Sequence, residues 1–333
     1  MARVFSGIQP SGELHIGNYL GAVRNWVALQ ETHECLICIV DYHAITQDYD
    51  PALLEQRTLD MAVGLLAAGI DPARTILFVQ SHVLEHTELA WIFTTVTPLG
   101  ELERMTQFKD KSQRQESVRA GLLNYPVLQA ADIMLYRAEL VPVGEDQLQH
   151  LELSREIARK WNTRYGEGVF PEPQPHIGAV KRILGLDGEA KMSKSLGNTV
   201  GLLDPPERIW ELLRPAKTDP ARVTRKDPGD PEKCNIYTLH GHFSPPETVR
   251  HVAAQCRSAG WGCLDCKRVL ADNMAAALAP MRERAAALQA EPERVRDILR
   301  DGAERAAAIA RDTMHAVRGA MGLLPAKEAI VRP

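Results

Sequence analysis

The sequence contains no apolar run approaching the roughly 18 residues that a membrane-spanning helix requires. Nor does an apolar secretory region follow Met1-Ala2-Arg3-Val4-Phe5, so a cytoplasmic location without a membrane partner is expected. Positive charge is not in excess, the formal net charge being −4. That balance does not advertise a nucleic-acid binder, although RNA contact needs only a local basic surface. Cysteine is sparse, with six residues in 333, and a reducing compartment makes disulfides an unattractive use for them. No internal repeat or low-complexity linker interrupts the chain, and beyond Asp204-Pro205-Pro206 no strand pattern remains.

The first 160 or so residues alternate strand and helix patterns, the signature of a parallel sheet with crossover helices. Strands are expected at Arg3–Gly7, Leu36–Val40, Thr75–Val79 and Leu140–Val143. Helices are expected at Leu53–Ala68, closed by Gly69, then at His86–Thr95, Gly121–Leu135 and from Gly144-Glu145-Asp146-Gln147 to about Trp161. A proline-rich connection, Pro171 to Pro175, follows. The segments Glu207–Leu213, Pro246–Arg257, Lys267–Gln289 and Pro292–Met321 read as helices. The fold class is therefore α/β, a doubly wound parallel sheet over residues 1–200 followed by an all-α C-terminal domain over 201–333.

Two short segments carry the chemistry. Lys191-Met192-Ser193-Lys194-Ser195 sets two lysines three apart among small or flexible residues, a cationic loop suited to closing on a polyphosphate. Such a loop needs a nucleotide site opposite, and the turn from Gln9 through Pro10, Ser11 and Gly12 to His15, Gly17 and Asn18 offers one. In a doubly wound sheet, anions bind where helix N-termini point free N–H groups past the strand ends. His15 and Asn18, three apart on the first helical turn, can both donate to phosphate oxygens, and Gly17 admits close approach to the backbone.

These two strings resemble the paired "HIGH" and "KMSKS" signatures of the class I aminoacyl-tRNA synthetases. The second is matched letter for letter; the first reads His-Ile-Gly-Asn. The resemblance implies a Rossmann-like catalytic domain and in-line attack of an amino-acid carboxylate on the α-phosphate of ATP. His15, Asn18, Lys191 and Lys194 would then be catalytic, with Mg²⁺ on the phosphates and Lys111 a candidate aid from the basic stretch Arg104 to Arg119.

One carboxylate, Asp132, stands in the otherwise apolar run Tyr125-Pro126-Val127-Leu128-Gln129-Ala130-Ala131-Asp132-Ile133 and needs a donor. An indole N–H is a donor with no acceptor capacity. With Gly100-Glu101-Leu102-Glu103-Arg104 and Val141-Pro142-Val143-Gly144-Glu145-Asp146-Gln147, this run is similar to the tryptophanyl-tRNA synthetase family over nearly the whole chain. The family implies that Asp132 recognises the indole nitrogen of L-tryptophan, with Phe5, Gly7, Tyr125, Gln129, Val143 and Gln147 completing the pocket. It implies ATP contacts from Gln9, Pro10, Ser11, Gly17, Asn18, Gly144, Glu145, Asp146, Ile183 and Lys191 to Ser195, and it implies tRNA(Trp) and a second copy as partners, the apolar first helix and the segments after it being a candidate dimer face. Tyrosyl-tRNA synthetase is the nearest alternative. A nucleotidyltransferase acting on a small metabolite and an idle RNA-binding relative are the others.

Cys234, Cys256, Cys263 and Cys266 follow C-x21-C-x6-C-x2-C, a four-thiolate set that serves zinc and iron–sulfur chemistry equally. Some family members carry a [4Fe–4S] cluster on a very similar spacing, which makes that cluster the expectation here, with zinc or four unliganded thiols at a helix contact as the alternatives. Nearby Arg222, Arg225, Lys226, Lys267 and Arg268 are candidate phosphate contacts for RNA.

Overall fold

In the computed structural model, residues 1–113, 117–178 and 183–324 are described, the side chains of Lys111 and Asp146 excepted. Five parallel strands form one sheet in the order β3-β2-β1-β4-β5. They are β1 Arg3–Ile8, β2 Glu34–Ile39, β3 Thr75–Val79, β4 Leu140–Pro142 and β5 Gln174–His176. All of β3 and all but the first residue of β2 are buried. Their near-continuous apolar runs have that cause, since helices cover both faces of the sheet.

The first helix, α1, runs over Ile16–Asn18, widens into a π turn at Tyr19–Val23 and returns to α geometry over Arg24–Leu29. Then come α2 (Pro51–Ala68), α3 (Glu85–Thr94), α4 (Ala120–Leu135) and α5 (Leu148–Tyr165). The ends of α2 follow local chemistry: the Asp50 side chain accepts from Ala52 N–H at 3.0 Å, Pro51 takes the first position, and Gly69 closes it at φ 113°. The later helices are α6 (Pro206–Leu213), α7 (Asn235–Phe243), α8 (Pro246–Arg257), α9 (Cys263–Gln289) and α10 (Pro292–Ala320). None of the described helices is long and apolar enough to cross a membrane.

Two elements depart from the sequence-based expectation. The connection Pro171 to Pro175 ends in β5, an edge strand, where Pro175 is tolerated because its missing N–H faces away from the ladder. And α1 does not present its apolar face outward: Ile16, Leu20, Val23 and Trp26 are buried in the main core, so that face is not available to a second copy.

The two larger hydrophobic cores cross residue 200. One joins α1, α2 and the strands to α6, α7 and α9, and the other joins α3, α4 and α5 to α10. Helix α10 lies directly on β3, where a Cβ on Gly302 would fall 1.9 Å from the Leu77 carbonyl oxygen. Gly302→Val should therefore lower the unfolding free energy by at least about 2 kcal/mol, an overpacking cost measurable by denaturant titration.

Candidate active site

Strand β1 delivers the chain to the signature turn. Ser11 N–H donates to the Gln9 carbonyl at 2.8 Å, and Gly12 takes φ +117°, a conformation that L side chains rarely adopt. His15 then caps α1 reciprocally with Asn18: Asn18 N–H donates to His15 Nδ1 at 3.2 Å, and His15 N–H donates to Asn18 Oδ1 at 3.3 Å. Because Nδ1 is an acceptor, the ring proton sits on Nε2. Asn18 thus holds the imidazole in one tautomer, a task beyond the phosphate donation expected of it.

The lysine loop folds onto this turn. Val200 and Leu202 clasp it from behind, Ile16 N–H donating to Val200 O at 2.9 Å and Leu202 N–H to Leu14 O at 2.8 Å. Within the loop, Met192 N–H donates to Ile183 O at 3.0 Å, and Asn198 Oδ1 accepts from Ser193 N–H at 2.8 Å. The side chains of Ile183 and Met192, expected at the nucleotide, are buried in the core beneath it and act as anchors. Lys194 reaches across the turn, its Nζ 3.4 Å from where a Cβ on Gly12 would stand. A Cβ on Gly17 would meet His15 Nδ1 at 2.9 Å and Met192 Cβ at 3.1 Å, so only glycine fits between ring and loop.

These contacts set the charges. Burial, then Lys194 and Lys191, lower the His15 pKa to about 4, keeping the ring neutral at pH 7. Burial brings Lys194 down to about 8, Glu13 opposing and Arg57 reinforcing the shift.

Beside the turn opens a cavity of about 330 Å³. All seven residues expected around the amino acid (Phe5, Gly7, Tyr125, Gln129, Asp132, Val143 and Gln147) line it, with Gln9 and Gly144. Asp132, 1% exposed, backs it with its carboxylate already held. His43 Nε2 lies 2.7 Å from Oδ2, while Gln80 Nε2 and His86 Nδ1 each lie 2.7 Å from Oδ1. Gln80 is oriented by Tyr42 N–H, which donates to its Oε1 at 3.1 Å, and the Tyr136 hydroxyl stands 2.8 Å from His86 Nε2. Burial alone would raise the Asp132 pKa, but His43 and His86 outweigh it and hold the carboxyl well below the ordinary range. The donors that Asp132 needed thus come first from the protein. At the other wall the Tyr125 hydroxyl donates to Gln107 Oε1 at 3.0 Å and lies 2.6 Å from His150 Nε2. A larger cavity of about 950 Å³, between α2, β3 and α10, contains none of the expected site residues.

The family of class I tRNA synthetases for tryptophan and tyrosine (W and Y) matches residues 1–279. The chain is 57% identical over 329 residues to the tryptophan–tRNA ligase of Deinococcus radiodurans, spanning 97% of this chain and 99% of that one. To the tryptophan–tRNA ligase of Thermotoga maritima it is 44% identical over 328 residues, 97% of this chain and 99% of the other. The chain belongs to the tryptophanyl-tRNA synthetases. The crystal structure of the Campylobacter jejuni tryptophanyl-tRNA synthetase, complexed with ADP and tryptophan, superposes with TM-score 0.89 at 38% identity, covering 96% of this chain and 100% of that one.

Elsewhere in this synthetase the expected residues fare unevenly. Glu145 is exposed beside Gly144, while the side chains of Asp146 and Lys111 lie outside the described residues. Cys234, Cys256, Cys263 and Cys266 all line one small cavity of about 20 Å³ at the meeting of α7, α8 and α9. Burial, then the other three thiols, push Cys266 up to about 12. Among the described residues no group of three or more His, Cys, Asp or Glu side chains is drawn together as a metal site. Lys267 is no RNA-facing cation: 6% exposed, it donates through Nζ to the Arg214 and Ala216 carbonyls at the end of α6. Arg268 stacks 3.7 Å over Trp210, and Arg222 is bound to the Arg225 and Trp261 carbonyls.

A lysine titrating near pH 8 over the signature turn has a kinetic consequence. The specificity constant for ATP, which reports the free enzyme, should fall above about pH 8 as Lys194 loses its proton. Lys194→Arg should carry that limb more than one pH unit higher, as a pH profile of tryptophan-dependent ATP–pyrophosphate exchange will read.

Proposed function

We propose that tryptophan is activated between the His15 turn, the lysine loop and the Asp132 cavity, then passed to the terminal adenosine of tRNA(Trp). A carboxylate offers about four lone-pair sites. Three on Asp132 are taken by His43, Gln80 and His86, leaving one on Oδ2 for the indole N–H. Phenylalanine would leave that site unpaired, a costly mismatch in a buried place. The substrate carboxylate attacks the α-phosphate of ATP in line and pyrophosphate leaves, so catalysis is positioning plus stabilisation of phosphate charge. His15 serves through its Nε2–H, Asn18 through its hold on His15, and Lys191 and Lys194 through their ammonium groups. Gln9, Pro10, Ser11, Gly17 and Gly144 shape the nucleotide's bed, with Glu145, Asp146, Ser193 and Ser195 at its rim. Lys111 is assigned to the phosphates or the RNA acceptor end. Mg²⁺ arrives with ATP, sharing its phosphate oxygens.

The observation that carries this reading is the stacking of Lys194 on the Gly12 turn beside a cavity backed by an ionised Asp132. As a tryptophan–tRNA ligase the chain should catalyse ATP–pyrophosphate exchange with tryptophan and not with tyrosine. Lys194→Ala should slow that exchange about a hundredfold while the KM for tryptophan stays within about twofold. A tyrosine preference, or an equal loss in both constants, would count against it.

Residues 1–200 form the catalytic unit in this reading and 201–333 the helical unit that meets the anticodon, the reaction taking place in the cytoplasm. The enzyme works as a homodimer, for which Leu84, Trp91 and Leu99 are exposed apolar side chains outside α1.

We also infer that the four late cysteines hold a [4Fe–4S] cluster, with zinc the alternative. Their convergence on one cavity supports such a group, and binding it would release the proton that burial and crowding keep on the Cys266 thiol. Bound there, it would tie the starts of α7 and α9 to α8. Anaerobically purified protein should contain iron and labile sulfide, and Cys263→Ser should lose both; elemental analysis giving neither, or zinc alone, removes the assignment.

A further inference from the structure

A third cation stands over the signature turn. Arg57 lies on α2 in the stripe that carries Met61 and Gly64, four and seven residues on. Residues so spaced share one helix face. That face meets the turn: Met61 is buried in the same core as Leu14, Ile16 and Met192, and a Cβ on Gly64 would stand 2.9 Å from Leu14 Cδ1. One helical turn before Met61, Arg57 comes up beside the lysine loop, close enough to depress the Lys194 pKa. Another face of α2, carrying Glu55, Thr58 and Leu59, lines the large cavity towards α10.

Arg57 is half-buried and makes no hydrogen bond or ion pair among the described residues. With Lys194 it forms a pair of like charges in a partly desolvated place, where Glu13 is the acidic group that acts on Lys194 among the described residues. Such crowding is unfavourable unless an anion joins it. A guanidinium fork matches phosphate oxygens in pairs, and on an 18-residue helix it is fixed where the loop lysines depend on a hairpin.

We propose that Arg57 is a phosphate-binding residue which grips the terminal phosphates of ATP and the departing pyrophosphate from beside the lysine loop. This deepens the reading of tryptophan activation and rests on it. Arg57→Gln and Arg57→Lys are to be compared with the wild type in tryptophan-dependent ATP–pyrophosphate exchange and in calorimetric titration with pyrophosphate. Arg57→Gln should raise the KM for ATP and for pyrophosphate about tenfold with the KM for tryptophan unchanged. Arg57→Lys, which keeps the charge without the fork, should fall between, and it stands in as the test if the glutamine variant misfolds. Unchanged constants for both phosphate ligands would overturn the proposal, as would an equal rise for tryptophan, the mark of a structural role. If the wild type shows no exchange with tryptophan, the reaction assignment fails by itself. The pyrophosphate titration then still decides Arg57: weaker binding by the glutamine variant upholds the grip, and equal binding refutes it.

Discussion

The active site depends on a short backbone clasp. Two hydrogen bonds between Leu14–Ile16 and Val200–Leu202 join segments nearly 190 residues apart in sequence, and through them the lysine loop is set upon the signature turn. Without that junction the ammonium groups would wander with a hairpin. With it, the hairpin base is rooted by Met192 and Ile183 in the core while its charged tip stays over Gly12. The neutrality of His15 follows from the same junction, because burial and the two lysines act on it together.

Recognition of the amino acid rests on a different economy. A buried carboxylate without partners would neutralise itself by taking a proton. Asp132 stays ionised because His43, Gln80 and His86 approach it from three directions, Gln80 and His86 being in turn oriented by Tyr42 and Tyr136. Of the three donors only His43 borders the cavity. The ligand therefore meets a carboxylate with a fixed plane and little unmet capacity, which suits a ring bearing a single N–H.

Much of this was legible in the sequence because the informative residues sit in contiguous strings. His15 to Asn18, Lys191 to Ser195 and Tyr125 to Asp132 announce themselves by local spacing, and the strands by their apolar runs. What could not be read depends on distance. His43, Gln80 and His86 lie between 46 and 89 residues from Asp132, and no local pattern marks them as its donors. Lys267 looked like a surface cation because charge is visible in a sequence, whereas the carbonyls that cap it at the end of α6 are not. The proline in β5 concealed a strand for the opposite reason, since only an edge position makes it tolerable.

The contact between Gly302 and Leu77 has a mechanical consequence. A glycine set against a strand's backbone leaves no side chain between them to absorb a shift, so β3 must answer any sliding or tilting of the last helix. Three residues beyond Leu77 that strand hands over to Gln80, whose amide grips the recognition carboxylate. Strain entering through the last helix thus needs to travel only about 10 Å of extended chain to be felt where the amino acid is chosen.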